Sequence, residues 1–127
     1  MPVYDADRFE PPAPIGVVTL SDPATGACFD GIRMLIDTGA DISIVPLSAL
    51  NQLGIALTEA AQYEVTGFGE GHATLPAVGL RMIFLGHSFR GQFLVADQVH
   101  GILGRNVLNA VRILLDGPGL VWREHPP

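Results

Sequence analysis

Lysine is missing from this sequence altogether. All seven basic residues are arginine, placed singly at Arg8, Arg33, Arg81, Arg90, Arg105, Arg112 and Arg123, against a net charge of −6. No basic patch can form to neutralise a phosphate backbone, which excludes nucleic acid as a partner. Cysteine occurs once, as Cys28. That excludes an intrachain disulfide and a cysteine metal cluster, and leaves a small buried hydrophobe in a reducing compartment as the reading. Aromatic residues make up only 7%, so the core must be built from Leu, Ile, Val and Ala. No apolar run reaches membrane-spanning length, which argues against a membrane partner. Residues Met1 to Arg8 contain neither the basic nor the apolar segment of a signal peptide, so a soluble, cytoplasmic protein is expected. His72, His87, His100 and His125 are far apart and show no ligand spacing, and the expectation is that no metal or other cofactor is used.

What is present points to strands. Apolar residues reach 48% and charged ones 16%, with 15 Gly and 10 Pro spread along 127 residues. This fits one small domain of short strands joined by tight turns. Residues 1–14 carry four prolines and read as an extended N-terminal arm. A folded domain is expected over 15–123, with a short tail at 124–127. Strands are predicted at Ile15–Leu20 and at Ile32–Ile36, the latter nearly all apolar and so buried on both faces. Pro46 opens a helix over Leu47–Leu53 that Gly54 closes. Tyr63–Thr66 and Ala73–Leu75 flank a glycine-dense centre and read as a mobile hairpin. Val78–Leu85 with Phe89–Ala96, and Val111–Leu115 with Leu120–Trp122, read as two further hairpins. Gly101–Leu103 is a short buried strand, followed by a helical turn from Arg105. The sum is an all-β chain with two short helices.

Two segments carry the chemistry. In Leu35-Ile36-Asp37-Thr38-Gly39-Ala40-Asp41 a carboxylate follows a fully apolar strand, placing Asp37 at its buried end. A carboxylate there is costly unless it is hydrogen-bonded or protonated. Far downstream, Ile102-Leu103-Gly104-Arg105-Asn106-Val107-Leu108 repeats the apolar pair, with glycine in place of the aspartate. Other signals are weaker. Gly67, Gly69 and Gly71 have the spacing of a dinucleotide loop, but no strand-helix-strand unit surrounds them. Ser43 and Ser48 lack the glycines of a nucleophile elbow.

The two strand-to-turn units, with a glycine-tipped hairpin between them, resemble the retropepsins over nearly the whole chain, from Ile15 to Trp122. The resemblance implies a closed, barrel-like all-β fold with a flap hairpin, active as a homodimer on peptide or protein substrates. It makes Asp37, Thr38 and Gly39 the catalytic loop, with Thr38 bonding its symmetry mate. Ala40, Asp41 and Ile102 line the cleft, and Gly67, Phe68, Gly69, Glu70 and Gly71 form the flap tip over the substrate. Arg105 takes a structural role, pairing with an acid on the first loop, here Asp41. Ala40 stands where pepsin-like enzymes carry Ser or Thr, which points to a less acidic optimum. The Thr38 loop and the terminal hairpin are the expected dimer interface, and Trp122 is read as a residue of the core or of that interface. Few charges line the cleft, so apolar substrate residues are expected. The alternative, a catalytically idle module for dimerisation or peptide binding, is weakened by the intact Asp37-Thr38-Gly39.

Overall fold

The computed structural model describes residues 2–57, 60–66 and 71–126. The strands are β1 (Tyr4–Asp5), β2 (Ala13–Ser21), β3 (Cys28–Ile36), β4 (Ile44–Pro46), β5 (Ala61–Thr66), β6 (His72–Phe84), β7 (His87–Ala96), β8 (Gly101–Leu103), β9 (Ile113–Asp116) and β10 (Val121–Glu124). Helix α1 spans Leu47–Leu53 and α2 spans Arg105–Leu108. One eight-stranded sheet runs β1-β2-β3-β8-β4-β7-β6-β5, and β9 with β10 forms a separate pair. β2 also pairs with β6, so the large sheet returns on itself. The ring is not a regular barrel. β4 and β8 are three residues long and meet at one pair, Ile44 with Ile102.

The core follows from period-two patterning. β2 buries Ile15, Val18 and Leu20, and β3 buries Ile32, Met34 and Ile36. The expectation that β3 is buried on both faces is corrected here: Arg33 is exposed and Leu35 half-buried between fully buried neighbours. The solvent face of β3 is the one that serves Arg33, which reaches the Asp5 carboxylate at 3.1 Å. A second correction concerns β6. Its thirteen residues run through what read as two strands, with Pro76 accommodated opposite Gln62. Cys28, expected to be buried, is exposed at the start of β3.

Helix α1 begins and ends where its sequence dictates. Pro46 closes β4 with φ −70° and serves as the N-cap, and Gly54 takes the left-handed conformation at φ 72° that closes the helix. Ala49, Leu50 and Leu53 face the core.

The N-terminal residues fold back onto the body. Val3 bridges Val121, the Tyr4 N–H donates to the Leu120 carbonyl at 2.9 Å, and the Trp122 N–H donates to the Pro2 carbonyl at 3.2 Å. Asp5 organises the turn that follows, accepting the N–H groups of Asp7 at 2.9 Å and Arg8 at 3.0 Å. Chiefly through the Arg8 N–H, and against the opposing effect of burial, these bonds and Arg33 hold the Asp5 carboxyl below its ordinary value of 3.8. Trp122 is 2% exposed, and its indole N–H donates to the Ile15 carbonyl at 2.9 Å. Of the two readings open to it, core or dimer interface, it is a core residue of its own chain.

Candidate active site

The site is built where β3 and β8 run side by side. The two strands are parallel, with Leu35 opposite Ile102 and Ile36 opposite Leu103. The apolar pairs of the two motifs are thus neighbours in space, and Asp37 and Gly104 leave the sheet together. The Asp37 N–H extends the ladder by donating to the Leu103 carbonyl at 3.0 Å. Beyond it the chain turns tightly, with the Ala40 N–H donating to the Asp37 carbonyl at 3.2 Å. The Gly39 N–H donates to Asp37 Oδ1 at 2.9 Å, which satisfies one carboxylate oxygen and fixes its direction. Asp37 is half-buried in the single chain, less enclosed than a carboxylate at the floor of the fold was expected to be. Thr38, Gly39 and Asp41 are exposed; Ala40 and Ile102 are half-buried.

The loop is held from behind by a residue that the sequence offered only as a nucleophile without its elbow. Ser43 is completely buried. Its hydroxyl donates to Asn106 Oδ1 at 2.7 Å and accepts the Gly104 N–H at 2.9 Å, while its own N–H donates to the same Asn106 oxygen at 2.9 Å. One serine therefore ties the end of the Asp37 loop to both β8 and α2. Gly104 is required by close approach: a Cβ there would stand 2.7 Å from the Ile42 carbonyl carbon and 3.0 Å from the Ala40 oxygen. Only glycine lets the loop lie this close to β8. The signal available in the sequence was the Gly-Arg-Asn run itself, but nothing in it names Ser43 as the partner.

Arg105 also binds the loop, though not as expected. Its guanidinium Nη1 donates to the Thr38 carbonyl at 2.7 Å, and its backbone N–H donates to the Ala40 carbonyl at 2.8 Å. Among the described residues it forms no salt bridge with Asp41, whose side chain is exposed. A main-chain carbonyl at the turn offers a fixed acceptor that a solvated carboxylate does not, so the brace stands while the ion pair does not.

β5 and β6 form the hairpin between the two motifs, in register from Ala61 with Ala77 to Thr66 with His72. Five of the six β5 residues are exposed, so the hairpin extends away from the core. Glu64 Oε1 and His72 Nδ1 meet across it at 2.9 Å. Of the expected tip residues, Gly67, Phe68, Gly69 and Glu70 lie outside the described residues, and Gly71 is exposed at the start of the returning strand.

Comparison with known proteins agrees with this architecture. No curated protein matches the chain. Among solved structures, the EIAV protease complexed with the inhibitor HBY-793 is similar, with 25% identity and a TM-score of 0.54, over 84% of this chain and 91% of that one. A family model described as aspartyl protease matches residues 29–107, which include both motifs and the hairpin between them. The chain belongs to the aspartyl protease family, and its all-β fold is retropepsin-like.

Proposed function

We propose that this chain is an aspartic endopeptidase of the retropepsin type that works as a homodimer, each copy supplying one Asp37 to a shared catalytic pair. One observation carries the reading. The chain places a single Asp-Thr-Gly loop at the end of β3, aims its carboxylate with the Gly39 N–H at 2.9 Å, and offers no second such loop. Hydrolysis by an activated water needs both a base and an acid. A two-fold axis beside Asp37 supplies both from one sequence.

The chemistry then balances as follows. Two carboxylates a few ångströms apart hold one proton between them. The ionised Asp37 takes a proton from a water lying between the pair, and the resulting hydroxide attacks the scissile carbonyl carbon. The protonated Asp37 gives its proton to the carbonyl oxygen, forming a tetrahedral diol. Collapse of the diol breaks the C–N bond: the leaving nitrogen takes the proton that the base acquired, and a diol hydroxyl returns its proton to the other Asp37, releasing a carboxylic acid and an amine and restoring the shared proton. Thr38 faces its mate across the axis, and Gly39, Ala40, Asp41 and Ile102 line the cleft. The β5–β6 hairpin lies between the two motifs in sequence, where the family resemblance expects the element that meets the substrate. The intact Asp37 loop favours this reading over an idle peptide-binding module.

Asp37→Asn tests it. The variant keeps the fold but removes the carboxylate proposed as the base, so cleavage of casein or a peptide pool falls by several orders of magnitude. Activity within about tenfold of wild type defeats the assignment.

A further inference from the structure

Among the described residues, Nε2 of His100 is the one buried side-chain polar atom without a hydrogen-bond partner. The His100 side chain is 13% exposed, and its ring lies against Phe9 with centroids 5.1 Å apart. The Asp5 carboxylate, 6% exposed, places Oδ2 at 3.7 Å from that nitrogen. The distance is too long for a hydrogen bond and short enough for an ion pair once the ring carries a proton. Asp5 is already tied on both oxygens. Oδ1 accepts the N–H groups of Asp7 and Arg8, and Oδ2 accepts Arg33 Nη2 at 3.1 Å.

The place of this cluster in the fold gives it a use. β3 and β8 pair with Met34 opposite Gly101, so Arg33 and His100 stand at matching points where the two parallel strands come together. Asp5 meets both. At the far end of the same pairing the strands release Asp37 and Gly104. β8 is thinly held, by three pairs to β3 and one to β4. Of the residues leading into it, Asp97, Gln98 and Val99 are exposed, and His100 alone is enclosed. Yet it is the Leu103 carbonyl of β8 that holds the Asp37 N–H at 3.0 Å.

We infer that His100 is a positioning residue for Asp37: on taking up a proton its imidazole closes onto Asp5 and tethers the entry of β8 to the N-terminal turn and, through Arg33, to β3. The consequence for catalysis rests on the proposed Asp37 pair; the tether itself does not. Histidine exchanges its proton between about pH 5 and 8. Asp5 is ionised throughout that range, because the Arg8 N–H above all holds its carboxyl below the ordinary value of 3.8. A neutral ring leaves Nε2 buried and unpaired, which is costly. A proton makes the same nitrogen a charged donor beside a carboxylate. Burial of the ring opposes that charge, and so does the Arg33 guanidinium on the same oxygen. Arg33 is 45% exposed and screened by water, whereas Asp5 is enclosed and in direct reach of the ring, so its attraction prevails. Phe9 presents an uncharged ring, and Asp97, on the segment of His100 itself, is exposed. Among the described residues no carboxylate other than Asp5 forms an ion pair with His100. The tether is therefore complete on the acid side of the histidine range and is lost as pH rises through it.

Hydrogen exchange followed by NMR tests the tether without an assay of activity. The Asp37 amide, bonded to Leu103 of β8, is the reporter. In the wild type its protection factor is expected to be about threefold or more higher at about pH 5.5 than at about pH 7.5, the scale of one added ion pair. His100→Phe keeps a ring against Phe9 but takes no proton, and its two values should agree. Asp5→Asn removes the partner and should abolish the difference as well. Both variants retain Asp37, so its own titration cancels in the comparison. Amides of the β6–β7 pair report the fold as a whole and should not share the effect. With a peptide substrate, kcat of the wild type relative to His100→Phe should rise about threefold from the higher pH to the lower. An Asp37 amide equally protected at both pH values, or a difference that survives in the variants, overturns the tether and leaves the shared aspartates standing. An amide that responds while the kcat ratio stays constant overturns the positioning role. A pH-dependent amide in a wild-type protein that cleaves no peptide supports the tether and defeats the peptidase reading.

Discussion

At Gly104 the loop that carries Asp37 comes within 2.7 Å of where a β-carbon would stand. The contact matters because the aim of one carboxylate depends on it. Ser43 and Asn106 hold the loop at this distance through three hydrogen bonds, all short. Ser43→Ala removes the acceptor of the Gly104 N–H and the donor to Asn106. A buried N–H left unpaired costs about 1–3 kcal/mol. Denaturant unfolding should register that loss, and the rate of peptide cleavage should fall more than tenfold from a loosened Asp37, a magnitude typical of a displaced catalytic group. Wild-type stability in the variant removes Ser43 from this role. The two strand-to-turn units were legible from the sequence, because the apolar pair before Asp37 recurs before Gly104, and the structure sets the two pairs side by side. Ser43 was not, since its bond to Asn106 joins positions 63 apart and neither residue is unusual where it stands.

Single elements were read well where one physical rule governs them. α1 lies between a proline that fits its start and a glycine that fits its end, and its limits are as predicted. β6 was misread as two strands, because a proline and small residues interrupt its pattern while pairing with β5 and β7 carries it through. The run Ile32–Ile36 was expected to be buried on both faces because its composition is apolar; on its outward face Arg33 is exposed, meeting the N-terminal turn, and Leu35 is half-buried. That turn is a testable unit. The Asp5 carboxyl binds protons less readily when folded than in the open chain, so its stabilising contribution is complete above the ordinary value of 3.8 and is lost as pH falls through its lower folded value. Asp5→Asn should therefore lower the melting temperature at neutral pH, with the difference from wild type shrinking in acid below about pH 4. Thermal scans from pH 3 to 7 measure it; a difference that stays constant with pH contradicts the role given to Asp5.

For the whole molecule, the proposed homodimer makes the concentration of chains the governing quantity. A site completed by a second copy loses specific activity on dilution, in proportion to concentration once the protein is well below its dissociation constant. A dilution series assayed alongside sedimentation should show activity and dimer fraction falling together; constant specific activity across a hundredfold dilution, on the order of two decades around the midpoint, contradicts it. The overall fold was legible because the two motifs and the hairpin fall in sequence order, whereas the return of the N-terminal residues onto β10 emerges only in the structure, with Trp122 placed in the core of its own chain. That placement also orders events during synthesis. The Trp122 indole is tied to Ile15, 107 residues earlier, a closure among the most distant the chain makes. Contacts spanning so much sequence are late to form, since the intervening loop must first be closed. The Asp37 loop leaves the ribosome long before the strand that carries Trp122. Until that strand follows, residues Pro2 to Tyr4 lack the partners that Leu120, Val121 and Trp122 supply, and the sheet that carries Asp37 is not yet closed at this end.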